Sequence, residues 1–340
     1  MGTRSLRVKS ICAYHISLVN PFYFKMIRPR FVAQFFEGVH CLSEVLTWTG
    51  NCMIEGISCD VRAPSPVPAW ISDSLGKLEP PLNKMWNKDP FWPISGWGMI
   101  NSTRSVTIYA LGMEIVDSPP ISDDNLLKFD KAVSRWMVLF GDWLAVLSGG
   151  PTSFETRESS MKWVSEDLDH ALDYACYYAG EIWEPKPITM WQWNHAFQHT
   201  INDNEPPIAL KLLQLATRDA VRADSRNAVI HAATAAECAL TKGLFCHLLQ
   251  NHSSEETNKL LNKNRMLGNR LQLAKKLGLQ VPTDAKQSLL EPRNYAVHSG
   301  QLISTDQAWK AVSTATTIVD TFDPLPDHCQ EPMPYANEKF

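Results

Sequence analysis

At 340 residues the chain is long enough for two domains. A hydrophobic fraction of 44% with 20% charged residues excludes wholesale disorder, and no uninterrupted apolar run is long enough to span a membrane. The net charge of −4 argues against a protein that coats nucleic acid indiscriminately.

Residues 1–120 have the composition of a mixed, strand-rich domain. Met53–Val61 and Arg104–Val116 carry the β-branched and aromatic content of strands. Between them, Ala63 to Gly98 holds Pro64, Pro66, Pro68, Pro80, Pro81, Pro90 and Pro93, which forbid a long helix and predict an irregular connection. Arg4, Arg7 and Lys9 precede a mildly apolar run, but His15, Asn20 and Pro21 interrupt it and no small-residue cleavage site follows. Eight cysteines without a Cys-x-x-Cys pair are expected to be reduced thiols of a cytoplasmic protein.

The region 121–207 is expected to be helical with a linker. Asp124–Leu147 is strongly periodic, with Leu127, Val133, Trp136, Phe140, Trp143, Leu144 and Leu147 on one broad face and Gly149-Gly150 as its stop. A second helix is expected over Ser165–Ile182. Pro206-Pro207 marks the predicted boundary of the last domain, 208–323, followed by a tail, 324–340.

From Ile208 onward the pattern reads as helix over 208–222, 225–250, two shorter pieces within 255–278, and 305–322. Residues 225–250 are apolar almost all round, which predicts a helix central to a bundle or buried in a dimer interface. The fold class expected is therefore α+β: a strand-rich N-terminal domain followed by an all-α bundle. Residues 208–310 carry 14 Lys/Arg against 8 Asp/Glu, whereas residues 1–207 and the tail are both acidic. Such a basic segment concentrates phosphate backbone locally, or it is scattered surface charge.

The chemistry-bearing segment is Glu291-Pro292-Arg293-Asn294-Tyr295-Ala296-Val297-His298-Ser299-Gly300. Pro292 suits the first turn of a helix and Gly300 its end, so a short helix is predicted. Asn294 and His298, four apart, would then be neighbours, the amide fixing the imidazole tautomer. Arg293 lies five positions from His298, about 140° round an α-helix at ~100° per residue, and reaches across by its length. A forked cation and an imidazole are what holding a phosphodiester and moving a proton require. A solvated helix-end Arg and His is the plain alternative.

Arg293-Asn294-x-x-x-His298 resembles the Arg-polar-x-x-x-His motif of the HEPN superfamily (higher eukaryote and prokaryote nucleotide-binding domains). An Ala-rich helix (226–240) precedes the motif by about fifty residues and an amphipathic helix (305–322) follows it, as in that family. The resemblance covers 208–323 and implies a metal-independent ribonuclease without cofactor, working as a homodimer on RNA, in which two motifs meet across the interface. It implies that His298 moves a proton at the ribose 2′-OH or the leaving oxygen, Arg293 stabilises the phosphorane, and Asn294 orients His298 or the phosphate. The domain order is similar to that of toxin and phage-defence proteins of the family, so an antitoxin or regulatory partner belongs to the same expectation.

Glu237, amid Ala233, Ala235, Ala236 and Ala239, either forms a salt link to Arg293 or lies on a solvated strip. Tyr295 either stacks a base or packs in the core. His195 and His199 have helical metal-ligand spacing, but no Glu follows the first and no third ligand is evident, which favours structural roles. Lys259, Lys263, Arg265, Arg270, Lys275 and Lys276 are candidates for guiding RNA. The leading expectation is an endoribonuclease. Its rivals are a non-catalytic HEPN-like module binding nucleotide, RNA or protein, and a metal hydrolase built on His195 and His199.

Overall fold

The computed structural model describes residues 23–27, 33–36, 48–63, 98–102, 105–108, 111–115, 123–149 and 188–329. The expected helix Ser165–Ile182 and most of the Pro-rich connection lie outside them. Seven strands are described: β1 Tyr23–Ile27, β2 Ala33–Phe36, β3 Thr49–Ile54, β4 Ile57–Arg62, β5 Gly98–Ser102, β6 Ser105–Ile108 and β7 Leu111–Ile115. They form two antiparallel sheets, one in the order β1-β7-β4-β3 and one in the order β2-β6-β5.

Both strand segments expected from sequence divide in two. Met53–Val61 is a hairpin, because the chain reverses at Glu55-Gly56 with φ of 50° and 76°. Arg104–Val116 is likewise split, with β6 in the three-stranded sheet and β7 between β1 and β4 in the other. Strand-like composition on both sides hid both divisions.

Helices α1 Asp123–Ser148 and α2 Met190–Ile201 pack on the four-stranded sheet. Trp48 meets Trp193 and Phe197 edge to face at centroid distances of 5.4 and 5.1 Å, Phe140 meets Trp193 in the same way at 4.9 Å, and Trp136 meets Phe197 at 5.8 Å. A Thr189 capping box starts α2, with Gln192 closing the reciprocal bond.

A second core begins at α3 Ile208–Val221 and continues through α4 Ser225–Leu248, α5 Ser254–Lys263, α6 Leu267–Lys276, α7 Glu291–Asn294 and α8 Thr305–Phe322. Along the chain the first core reaches Phe197 and the second resumes at Ala209, with Val146 of α1 joining the second and Cys329 the first. Asp224, Ser253 and Ser304 accept from the third residue of α4, α5 and α8 as side-chain caps. Helix α4 is the centre. Its Ala228, Val229, Ala232, Ala235, Ala236, Ala239, Leu240 and Leu244 are all fully buried within one chain. Each buried Leu or Val contributes about 1.5–3 kcal/mol, and the alanines let neighbouring helices approach closely. Its apolar face is thus consumed internally, at the centre of the bundle.

The two bodies are stitched together. Arg135 donates two hydrogen bonds to Asp203 at 3.0 and 3.1 Å, Trp143 Nε1 donates to Asn204 O at 2.6 Å, and Lys211 pairs with Asp142 at 2.5 Å. The tail returns to the first body, where Cys329 on the short turn Asp327–Cys329 is buried in its core.

Candidate functional site

The site segment begins with Pro292. Proline lacks an N–H, and its ring collides with the carbonyl four residues back in an α-helix. The preceding turn is widened: Lys286–Leu290 is π-helical, and the Glu291 N–H bonds to Lys286 O, five residues back. One α turn follows, Glu291–Asn294, then a second π turn, Tyr295–Ser299, closed by Gly300 at φ 63°. Only glycine takes that left-handed cap without strain. Ser299 Oγ donates to Tyr295 O at 3.0 Å. Leu289, Pro292 and Ala296 are buried, and Ser288 shares a buried hydroxyl–hydroxyl bond of 2.8 Å with Thr314 of α8. The segment is anchored along one side and open along the other.

The expected short helix is therefore a π–α–π segment, and this changes which residues meet. A turn closed by five-residue hydrogen bonds stacks residues five apart. Arg293 Nη1 lies 3.4 Å from His298 Nε2, and the same nitrogen donates to Asn294 Oδ1 at 3.4 Å. The expected Asn294–His298 bond is replaced by one between Arg293 and each of them. Since a guanidinium only donates, His298 Nε2 accepts here, which leaves the ring proton on Nδ1. Both contacts are near the long limit for hydrogen bonds and exchange readily for a better acceptor. Glu291 is turned to Lys286 at 3.9 Å, and among the described residues no carboxylate lies within ion-pair distance of Arg293. Arg293 is half-buried, while Asn294 and His298 are exposed.

Tyr295 and Val297 are each 40% exposed and Leu302 is 98% exposed, so Tyr295 is not a core residue. Glu237 does not reach Arg293. It accepts from Arg270 Nη1 of α6 at 2.9 Å, and Arg270 is only 13% exposed at its side chain. Arg270 is thereby withdrawn from the set of RNA-guiding cations. Lys259 pairs with Glu255 on its own helix at 2.7 Å, while Lys263, Arg265, Lys275 and Lys276 are exposed.

Two polar clusters went unseen in the sequence. Buried Asp219 accepts from Arg218 at 3.2 Å and lies 2.7 Å from His231 Nδ1, tying α3 to α4. Cys329 Sγ lies 3.2 Å from His199 Nε2, across 130 residues of sequence. His199 stacks on Trp143 at 3.9 Å and His195 on Trp191 at 4.0 Å. Among the described residues no group of three or more metal-ligating side chains converges. No described helix is long and apolar enough to cross a membrane. No family model, no curated protein and no solved structure matches the chain.

Proposed function

We propose that this chain is a metal-independent endoribonuclease of the HEPN type, acting through Arg293, Asn294 and His298. The observation that carries the reading is the 3.4 Å approach of Arg293 to His298 on an exposed π turn, with no carboxylate among the described residues competing for the guanidinium. A phosphate oxygen is a stronger acceptor than an imidazole or amide, so an incoming phosphodiester takes Arg293 and releases His298 Nε2. That nitrogen then removes the 2′-OH proton, the 2′ oxygen attacks phosphorus, and the bond to the 5′ oxygen breaks. The products are a 2′,3′-cyclic phosphate and a 5′-OH end, the leaving oxygen being protonated by an acid. Arg293 stabilises the charge on the equatorial oxygens.

In-line transfer uses both a base and an acid, whereas one chain offers one imidazole at this site. A two-fold homodimer supplies the second. Tyr295, Val297 and Leu302, exposed beside the motif, are the apolar surface we assign to that contact. The single imidazole equally favours a second reading, a non-catalytic HEPN-like module that holds nucleotide or RNA. The domain order supports a toxin or phage-defence role, with the N-terminal body sensing, regulating or positioning, and with an antitoxin or regulatory protein as partner.

The deciding experiment incubates the purified chain with total RNA in excess chelator and maps the ends. Cyclic phosphate ends that disappear with His298→Ala support the enzyme. RNA binding without cleavage supports the module, and chelator-sensitive cleavage overturns the assignment.

A further inference from the structure

The reversal at Glu55-Gly56 sets the register of β3 and β4 so that Cys52 and Cys59 stand directly opposite one another. Side chains alternate between the faces of a strand, and here the alternation buries both cysteines, Cys52 at 7% exposure and Cys59 fully. Both are free thiols, and Cys59 shares a hydrogen bond with the Cys52 side chain. Cys329, also buried in this core, is turned to His199 instead.

Opposed residues of an antiparallel pair lie about 4.5–5.5 Å apart at Cα, inside the range of about 4.4–6.8 Å that disulfides span. The register therefore already supplies the separation that a bond between the two sulfurs needs. Among the described residues β3 is the edge strand of its sheet, with Thr49, Asn51 and Met53 exposed between its buried residues. Local opening begins where fewest contacts hold the backbone. Cys52 is thus the thiol that a reagent meets first, and Cys59 lies behind it on β4, between β3 and β7.

We propose that Cys52 and Cys59 form a reversible dithiol–disulfide site whose co-reactant is a low-molecular-weight disulfide. The Cys52 thiol loses its proton and attacks one sulfur of that molecule, which gives a mixed disulfide and releases one small thiol. Cys59 then loses its proton and attacks the Cys52 sulfur, forming the Cys52–Cys59 bond and releasing the second small thiol. Two protein thiols are oxidised and one small disulfide is reduced. The bond ties the edge strand to β4 across residues 52–59. That strand packs on α2 so tightly that a Cβ on Gly50 would stand 2.5 Å from the Phe197 ring. Oxidation therefore resists opening of this edge, and the Arg293/His298 motif takes no part.

The test equilibrates the full chain with reduced and oxidised glutathione at fixed ratios, in buffer and in denaturing urea, followed by acid quenching and peptide mapping by mass spectrometry. Cleavage after Glu55 separates the two cysteines unless the disulfide joins them. The Cys52–Cys59 bond should form in buffer with an equilibrium constant about tenfold or more above that in urea, because the fold holds the sulfurs together. Chain oxidised in urea and then refolded should reach the same constant from the other side, and excess reduced glutathione should reopen the bond. Cys52→Ala should leave Cys59 a free thiol at ratios that link it in the wild type. A constant in buffer no greater than in urea, failure of the oxidised chain to refold where the reduced chain does, or Cys59 bonded chiefly to another cysteine or to glutathione each overturns the proposal.

Discussion

Arg293 Nη1 rests 3.4 Å from His298 Nε2, five residues further along the chain, because the backbone between them is wound as a π turn. The pair is held by geometry rather than by charge, so its chemistry should be sensitive to side-chain shape. If the ribonuclease reading holds, Arg293→Ala and His298→Ala should each lower cleavage by about 100-fold or more, in line with the loss of an oxyanion donor or a general base. Arg293→Lys should still lose about tenfold, because a point charge lacks the forked geometry. Circular dichroism should show unchanged helix content in all three. Full activity in Arg293→Lys would count against bidentate phosphate binding.

The proposed dimer makes a separate demand. Wild-type protein mixed with excess His298→Ala protein, under demonstrated subunit exchange, should lose activity per wild-type subunit as mixed sites form. Val297→Glu at the exposed patch should shift the chain to monomer in analytical ultracentrifugation. Constant activity per subunit would mean that each chain holds a complete site.

Glu237 is predicted to matter for stability and not for the reaction. Its removal strands the Arg270 guanidinium, whose Nε is already without a partner in the interior. A fully buried pair costs about 3–5 kcal/mol when one partner is deleted, and the 34% exposure of Glu237 reduces this to about 2 kcal/mol. Urea denaturation of Glu237→Ala measures it. Arg270→Met with Glu237→Gln should recover much of the loss, whereas Arg293 substitutions should not couple to Glu237.

At Gly243 two effects of opposite sign compete. Alanine is better than glycine in a helix by ~1 kcal/mol. The added methyl would stand 2.6 Å from Phe322 Cδ1 and 2.8 Å from its carbonyl oxygen, and backbone cannot yield as a flexible side chain can. Overpacking of this kind costs about 1–3 kcal/mol, so Gly243→Ala should be net destabilising. A raised urea midpoint would show that α4 and α8 separate easily.

The thiols should divide by environment. A hydrogen bond with Cys52 and burial push the Cys59 thiol far above its ordinary range, and burial raises Cys329. At about pH 8, iodoacetamide with peptide mapping should label exposed Cys246 first, and Cys59 and Cys329 only as fast as the fold opens. Because these folded thiols hold protons more tightly than unfolded ones, their contribution to stability is full below ~8.5 and is lost as pH rises above it. Rapid labelling of Cys59 would contradict the buried hairpin.

Local chemistry made the helices legible. The apolar period places 208–221, 225–248 and 305–322 nearly where the sequence puts them, since a stripe acts within a few residues. The residues Arg293, Asn294 and His298 were also visible as a motif, because they lie within six positions of one another. What tertiary structure decided is who touches whom. The widened turns around Pro292 bring Arg293 to His298 and leave Asn294 on the guanidinium, a pairing that α-helical spacing does not give. Glu237 meets Arg270 rather than Arg293, Asp219 meets His231, and Cys329 meets His199, each set by the rotation and level of packed elements. The break between β6 and β7 depended on which sheet each half pairs with, and the hairpin at Glu55-Gly56 on β3 folding back against β4. Hydrophobic period specifies that a face is buried, but the partner on the far side of that face is fixed only when the elements pack.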